Sequence, residues 1–448
     1  MERSVLIATP FFAPQNHAAV FRAYKLAKYL PQFGWKPIVL TVDTQYQYNE
    51  DPDLLNNLPK EVEVVKARYV EPTLRGVRMA LGGRDRTFRA LKAANGDTGE
   101  RRVKPTSGAY ARLLADWIQI PDAYWTWGKK AIATGREIVR ARGIGVVLTT
   151  APPYSCLVVG RALQEAGIKW VADFRDPLAY TKRLSSRVAR VYGRQLRIVE
   201  MTLEKADAIT VASSSFASIY HDMFESRGAK PVFIPTGIDS SLTEAESSSS
   251  RLHEKSYLLF AGEYLPDYDD SFLEAFARAL ENSEVRRAEV RLVVVGTVEL
   301  NRNRLKPLVE RLSLQNHVEF IDQVPQREVY KLLRGARAGV LVPGTRAYWW
   351  TTFAKMTDFI GMRKPVIAVV PDPSEARTAL SRSRLGIFLD GPPEQRSATL
   401  TDFLLGRHQL PAPDENECER YTARRQVQSF VEIFESLTNA RKMSATAS

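Results

Sequence analysis

Only two cysteines, Cys156 and Cys418, occur among 448 residues, and only five histidines. Two isolated thiols exclude a disulfide framework and a thiolate zinc centre, and they suit a reducing compartment. No His-Glu-x-x-His and no paired cysteine set is present, so no metal site is expected. No apolar run reaches the roughly 18 to 20 residues that a membrane-spanning helix needs. Met1-Glu2-Arg3-Ser4-Val5-Leu6 leads straight into a strand pattern, so no signal peptide is expected there and the expected location is cytoplasmic. The Gly-x-Gly-x-x-Gly fingerprint is missing, which leaves a dinucleotide cofactor unsupported. Nucleic-acid reader motifs are missing as well.

What is present is an apolar fraction of 44% against 25% charged residues, the balance of a globular protein. The length suits two or three domains rather than one core. A net charge of +12 implies an anionic partner without naming it. Much of the excess lies in a basic insertion at about 66–112, where twelve Lys or Arg meet four Asp or Glu. A second concentration, Arg183, Arg187, Arg190, Arg194 and Arg197, steps by four, three, four and three. On a helix these fall on one stripe, either an interfacial face for anionic lipid or a solvated basic face.

Two successive runs of alternating strands and helices organise the chain. The first places strands at 4–9, 37–42, 146–148, 170–172 and 208–211, with helices at 18–30, 123–140 and 157–166. Ser247-Ser248-Ser249-Ser250 marks a linker. The second run places strands at 257–260, 291–295, 318–321, 339–342 and 366–370. The expected fold is α/β, with two Rossmann-like doubly wound domains facing an interdomain cleft. The expected domains are 1–240 and 256–420, with a helix at 421–448 packing back on the first.

In open parallel sheets ligands bind beyond the C-terminal strand ends, and three segments there carry the chemistry. The first βα turn, Thr9 to Ala19, opens onto a helix N-terminus and holds Asn16 and His17, the latter a candidate acid–base or phosphate-binding group. The strand 170–172 runs out at Asp173, Arg175 and Asp176. These would bind sugar hydroxyls or position a nucleophile. The alternative is structural, with Asp173 capping the turn and Arg175 pairing with Asp176. In the second run, Lys355 and Asp358 share a helix face near its N-terminus, suited to a phosphate and a ribose diol or simply to an intrahelical ion pair. Trp349-Trp350 would stack on a flat ring or fill the cleft.

Several segments in order resemble GT-B glycosyltransferases of the family 4 type, in the bacterial surface-polysaccharide branch. They are Arg22 to Leu30 with Gly34 to Thr41, Pro121-Asp122 before Trp127, and Thr149 to Ser155. Ala172 to Pro177, Ile234 to Asp239 and Lys355 to Phe359 with Lys364-Pro365-Val366 complete the set. The resemblance implies a UDP- or GDP-linked sugar donor held by the second domain and a polyprenyl-linked or saccharide acceptor held by the first. It also implies retaining, metal-independent chemistry and no other cofactor. It places Lys355 on the donor diphosphate, Asp358 on the ribose, Gly262 and Asn16 near the phosphates, and Trp350 where the family carries an acidic residue. Asp173 and His17 are the catalytic candidates, and Tyr154, Arg175 and Asp176 fall on the acceptor side. Ala18-Ala19, Glu263 and Thr236 also depart from the family pattern. The function expected is sugar transfer for surface polysaccharide, peripheral to the inner face of the plasma membrane. The alternatives are a non-catalytic binding or scaffold protein and a sugar-nucleotide epimerase.

Overall fold

The structure, a computed structural model, describes residues 3–43, 50–72, 121–178, 189–224, 230–239 and 256–446. It divides into two units, Met1–Ile234 with Val427–Ser448, and Pro235–Gln426.

Unit 1 is built on seven parallel strands. They are β1 (Ser4–Ala8), β2 (Lys36–Val42), β3 (Glu63–Ala67), β4 (Val146–Ala151), β5 (Lys169–Phe174), β6 (Ala208–Val211) and β7 (Val232–Phe233). The spatial order is β3-β2-β1-β4-β5-β6-β7. All residues of β1 and β4 are buried, the pattern of central parallel strands covered on both faces, which is why they read as unbroken apolar runs. The Ser155–Gln164 helix packs tightly on β5: a Cβ on Gly160 would stand 2.1 Å from Nε1 of Trp170. Only glycine allows that approach. In the last helix Val427, Phe430 and Phe434 are buried, and Phe434 meets Trp35 at a centroid distance of 5.3 Å.

The basic insertion expected from residue 66 onward overlaps a strand at its start, since Lys66 pairs within β3 against Thr41. The rest of that insertion, 73–112, lies outside the described residues.

Unit 2 repeats the plan with six parallel strands. These are β8 (Tyr257–Ala261), β9 (Arg291–Val295), β10 (Val318–Ile321), β11 (Ala338–Leu341), β12 (Val366–Ala368) and β13 (Gly386–Phe388). Their order is β10-β9-β8-β11-β12-β13. Ahead of β8, the segment Pro235 to Asp239 braces this unit. Ile238 exchanges backbone hydrogen bonds with Tyr421 and Ala423 at 2.7 and 2.8 Å, and a Cβ on Gly237 would strike the Thr422 carbonyl carbon at 2.1 Å. Among the described residues no helix is long and apolar enough to cross a membrane.

In both units the strand order reverses direction at one place, β1/β4 in unit 1 and β8/β11 in unit 2. Those two reversals are where a doubly wound sheet opens a crevice for ligand.

Candidate functional site

At the β8/β11 reversal, the chain leaves β8 through Gly262 at φ 105° and leaves β9 through Gly296 at φ 155°. The two loops touch through backbone: a Cβ on Gly296 would lie 2.5 Å from the Gly262 carbonyl oxygen. Asn301, buried in the Val298–Arg311 helix, holds the arrangement. Its Nδ2 donates to the Gly262 carbonyl at 2.9 Å, and its Oδ1 accepts from the Tyr264 amide at 2.8 Å. One side chain thus satisfies both backbone groups of the turn. Asn301→Leu keeps the size and strands both groups, so we expect a loss of about 2–4 kcal/mol in urea denaturation, with weaker ligand binding at this loop.

Lys355 stands in the second position of the Ala354–Gly361 helix. Its Nζ lies 3.7 Å from the ring centroid of Phe260 and 5.8 Å from that of Tyr268, and 3.6 Å from where a Gly262 Cβ would be. It forms no hydrogen bond or ion pair with any described residue, and the intrahelical pair with Asp358 is not made. Burial lowers its pKa from 10.5 to about 7, against an opposing pull from Glu263. An amine held on aromatic faces with its three donors unused, beside a glycine-backed loop, is arranged to meet an anion. Asp358, one turn on, accepts from the Tyr330 hydroxyl at 3.2 Å. Trp350 is only 5% exposed, which leaves little open ring face for a stacked ligand.

At the β1/β4 reversal of unit 1, the first βα turn carries Asn16, half-buried, and His17. His17 occupies the N-cap position of the Ala18–Tyr29 helix without capping it. Its Nε2 shares a hydrogen bond with Gln15 Oε1 at 2.8 Å, and its ring meets Phe11 edge-on at 4.9 Å. Burial, then the charge of Arg175, lowers its pKa to about 4. His17 is therefore neutral near pH 7. The Arg175 guanidinium donates to the carbonyls of Ala19 and Pro152 and lies 5.7 Å from the Phe11 ring. It ties two loops together instead of pairing with Asp176. Asp122 accepts from the Ser155 amide (2.8 Å), the Ser155 hydroxyl (2.6 Å) and the Tyr124 amide (2.8 Å), fixing the start of the Ser155–Gln164 helix.

Asp173 differs from its expected role. It is 1% exposed and its carboxylate is fully occupied. Arg22 grips it through Nε and Nη2 at 2.8 Å each, and the hydroxyls of Thr150 and Thr210 donate at 2.8 and 2.6 Å. Arg22 also donates to the Ile234 carbonyl at 2.8 Å. Burial alone would raise the Asp173 pKa, but the charge and hydrogen bonds of Arg22 and the two threonines outweigh it and lower it. The reason lies in register: Thr150 and Thr210 sit opposite Asp173 on the flanking strands, so its side chain points into the sheet's covering layer. In this geometry it is a structural tie with no lone pair left for substrate.

Of the arginine stripe, Arg183 and Arg187 lie outside the described residues. Arg190 falls in the Ala189–Lys205 helix, and Arg194 and Arg197 are exposed on it. Asn301, Gly296, Asp122 and Arg22 are the residues that sequence reasoning did not single out as functional. Among the described residues no group of three or more His, Cys, Asp or Glu is gathered to hold a metal.

Residues 243–344 match the family model described as glycosyl transferases group 1. This span contains Gly262, Gly296 and Asn301. No curated protein sequence matches the chain. Among solved structures, the chain is similar to Anabaena Alr3699/HepE in complex with UDP and glucose, at 14% identity and a TM-score of 0.58, covering 97% of this chain and 100% of that one. A glycosyltransferase from Rickettsia africae is similar at 14% identity and 0.57, covering 98% and 99%. Sucrose-phosphate synthase from Thermosynechococcus elongatus is similar at 13% and 0.56, covering 100% of both chains. The fold class is that of GT-B glycosyltransferases, α/β with two Rossmann-like sheets. Together with the family match, it supports a glycosyltransferase.

Proposed function

We propose that unit 2 binds the diphosphate of a UDP- or GDP-linked sugar. The sugar is then transferred, with retention, to a polyprenyl-linked or saccharide acceptor bound by unit 1, in bacterial surface-polysaccharide synthesis. The observation that carries the reading is Lys355, a cation with no protein partner among the described residues, set on Phe260 beside Gly262 at the strand-order reversal. As the donor bond breaks, negative charge develops on the leaving diphosphate, and a fixed cation there lowers the barrier. The bound UDP of the Anabaena structure supports the donor class. The retaining outcome and the polysaccharide role are carried by the motif resemblance. Exposed Arg194 and Arg197 support attachment to an anionic membrane surface. The direct test is a melting-temperature screen with UDP, GDP and their sugars. At least one nucleotide should raise the melting temperature in proportion to the logarithm of its concentration. No rise with any of them would defeat the donor assignment.

A further inference from the structure

Four acidic side chains follow β8 in close succession: Glu263, Asp267, Asp269 and Asp270. Three of them are used within the protein. Asp267 accepts from the Tyr348 hydroxyl at 3.0 Å, Asp269 from the Ser271 amide at 2.7 Å, and Asp270 from Arg304 at 2.8 Å. Glu263 is half-buried, and its carboxylate forms no hydrogen bond or ion pair with any described residue. Its backbone, by contrast, is clamped on both sides. Asn301 holds the Gly262 carbonyl before it at 2.9 Å and the Tyr264 amide after it at 2.8 Å. The turn fixes where Glu263 stands and gives its carboxylate no task there.

A cation in the same condition stands beside it. Lys355 Nζ lies 3.6 Å from the Cβ position of Gly262, the residue before Glu263, and it too pairs with no described residue. The two opposite charges act on one another, since Glu263 raises the Lys355 pKa against the lowering by burial, yet they do not close an ion pair. On an open surface that would mean little. Here both side chains are partly withdrawn from water, where a charge without a partner costs free energy.

A ligand that satisfies both groups presents negative charge to Lys355 and positive charge to Glu263. A bare diphosphate meets only the first demand, because its oxygens would also face the carboxylate and be repelled. A sugar hydroxyl would give the carboxylate a donor and leave that repulsion in place. A divalent cation removes it. Magnesium is commonly held by one or two carboxylates together with substrate phosphates and water, so a single protein carboxylate beside the diphosphate suffices. We propose that Glu263 is the protein's ligand to a magnesium ion that arrives with the diphosphate, so that unit 2 takes up the metal complex of its nucleotide and not the free anion.

The inference rests on the diphosphate reading of unit 2 and turns on the sign of one effect. If Lys355 alone held the anion, magnesium would neutralise the diphosphate in solution and weaken binding. With Glu263 as a ligand, magnesium strengthens it. The test is calorimetric titration of the whole protein with UDP and with GDP, in EDTA and in excess magnesium chloride. For a nucleotide that binds, magnesium should raise the affinity tenfold or more. In Glu263→Gln that gain should fall below threefold, and the affinity in EDTA should rise because the repulsion is gone. Manganese, followed by its electron paramagnetic resonance signal, should bind the wild type tightly only when nucleotide is present, and Glu263→Gln should lose that ternary complex. The substitution breaks no hydrogen bond with a described residue, so the variant should fold and melt like the wild type without ligand. The proposal is overturned if magnesium leaves the wild-type affinity unchanged or lowers it, or if Glu263→Gln keeps the full gain. Failure of both nucleotides to bind in either buffer defeats the diphosphate reading itself.

Discussion

Lys355→Met should give a protein that is harder to unfold and that has lost most of its affinity for nucleotide. The folded state holds this amine at a pKa of about 7, whereas an unfolded lysine titrates near ~10.4. For a cation lowered on folding, the cost of burial is fully present below about pH 7 and disappears as pH rises through the interval up to the unfolded value. Methionine fills similar space without the charge, so the variant should gain about 1–3 kcal/mol at neutral pH and below. The gain should shrink as the solution becomes alkaline. Loss of a charge-assisted contact to diphosphate should cost about 1.5–3 kcal/mol of binding, roughly tenfold to a hundredfold in affinity. The wild type should also bind nucleotide best below pH 7 and more weakly above it, because the anion needs the protonated amine. Calorimetric titration across pH 6 to 9 measures this directly. A flat pH profile that matches the Lys355→Met profile would remove Lys355 from the diphosphate site.

The Arg22–Asp173 pair should behave quite differently. Both groups lie in the interior, at 3% and 1% exposure. Removing one leaves the other charged and enclosed, for which about 3–5 kcal/mol is the expected loss. Arg22→Met and Asp173→Leu should each express poorly or melt early. The double substitution should recover a large part of the loss, because no orphaned charge remains. Acid should act through the same group. A carboxylate whose pKa is lowered on folding contributes stability that is present above its unfolded value near ~3.9 and is lost as pH falls through its folded pKa. Asp173→Asn should therefore lower stability most near neutral pH and flatten the acid limb of the unfolding curve. A catalytic Asp173 would instead give a stable variant with low turnover, so chemical denaturation beside an activity assay separates the two.

Much of this architecture is legible from the chain because central parallel strands are buried on both faces and read as short apolar runs. Ser4 to Ala8, Val146 to Leu148 and Arg291 to Val295 are of this kind. Edge strands are not so marked. Glu63–Ala67 sets Glu63 and Lys66 around a valine pair on a half-exposed edge and merges into basic sequence, and Gly386–Phe388 is only three residues long. Lys355 is marked out by the motif resemblance, since its spacing to Asp358 alone fits an intrahelical ion pair. Asn301 is not legible, since its partners are 37 and 39 residues away and nothing local announces them. Asp173 shows the converse. A carboxylate at a strand end suggests ligand binding, but its fate is decided by Arg22, 151 residues earlier, and by threonines on two neighbouring strands.

The backbone contact between Gly262 and Gly296 also sets the unit of exchange for anyone redesigning this pair of loops. Each loop takes its shape from the other, with Asn301 as the pin, so the residues after β8 do not make a portable cassette. Transplanting them alone from a relative would bring a foreign curve against a native wall. The smallest graft that carries its own mould is Gly262 to Tyr264 together with Gly296 to Asn301. Libraries that vary one stretch and freeze the other will sample mostly misfitted loops.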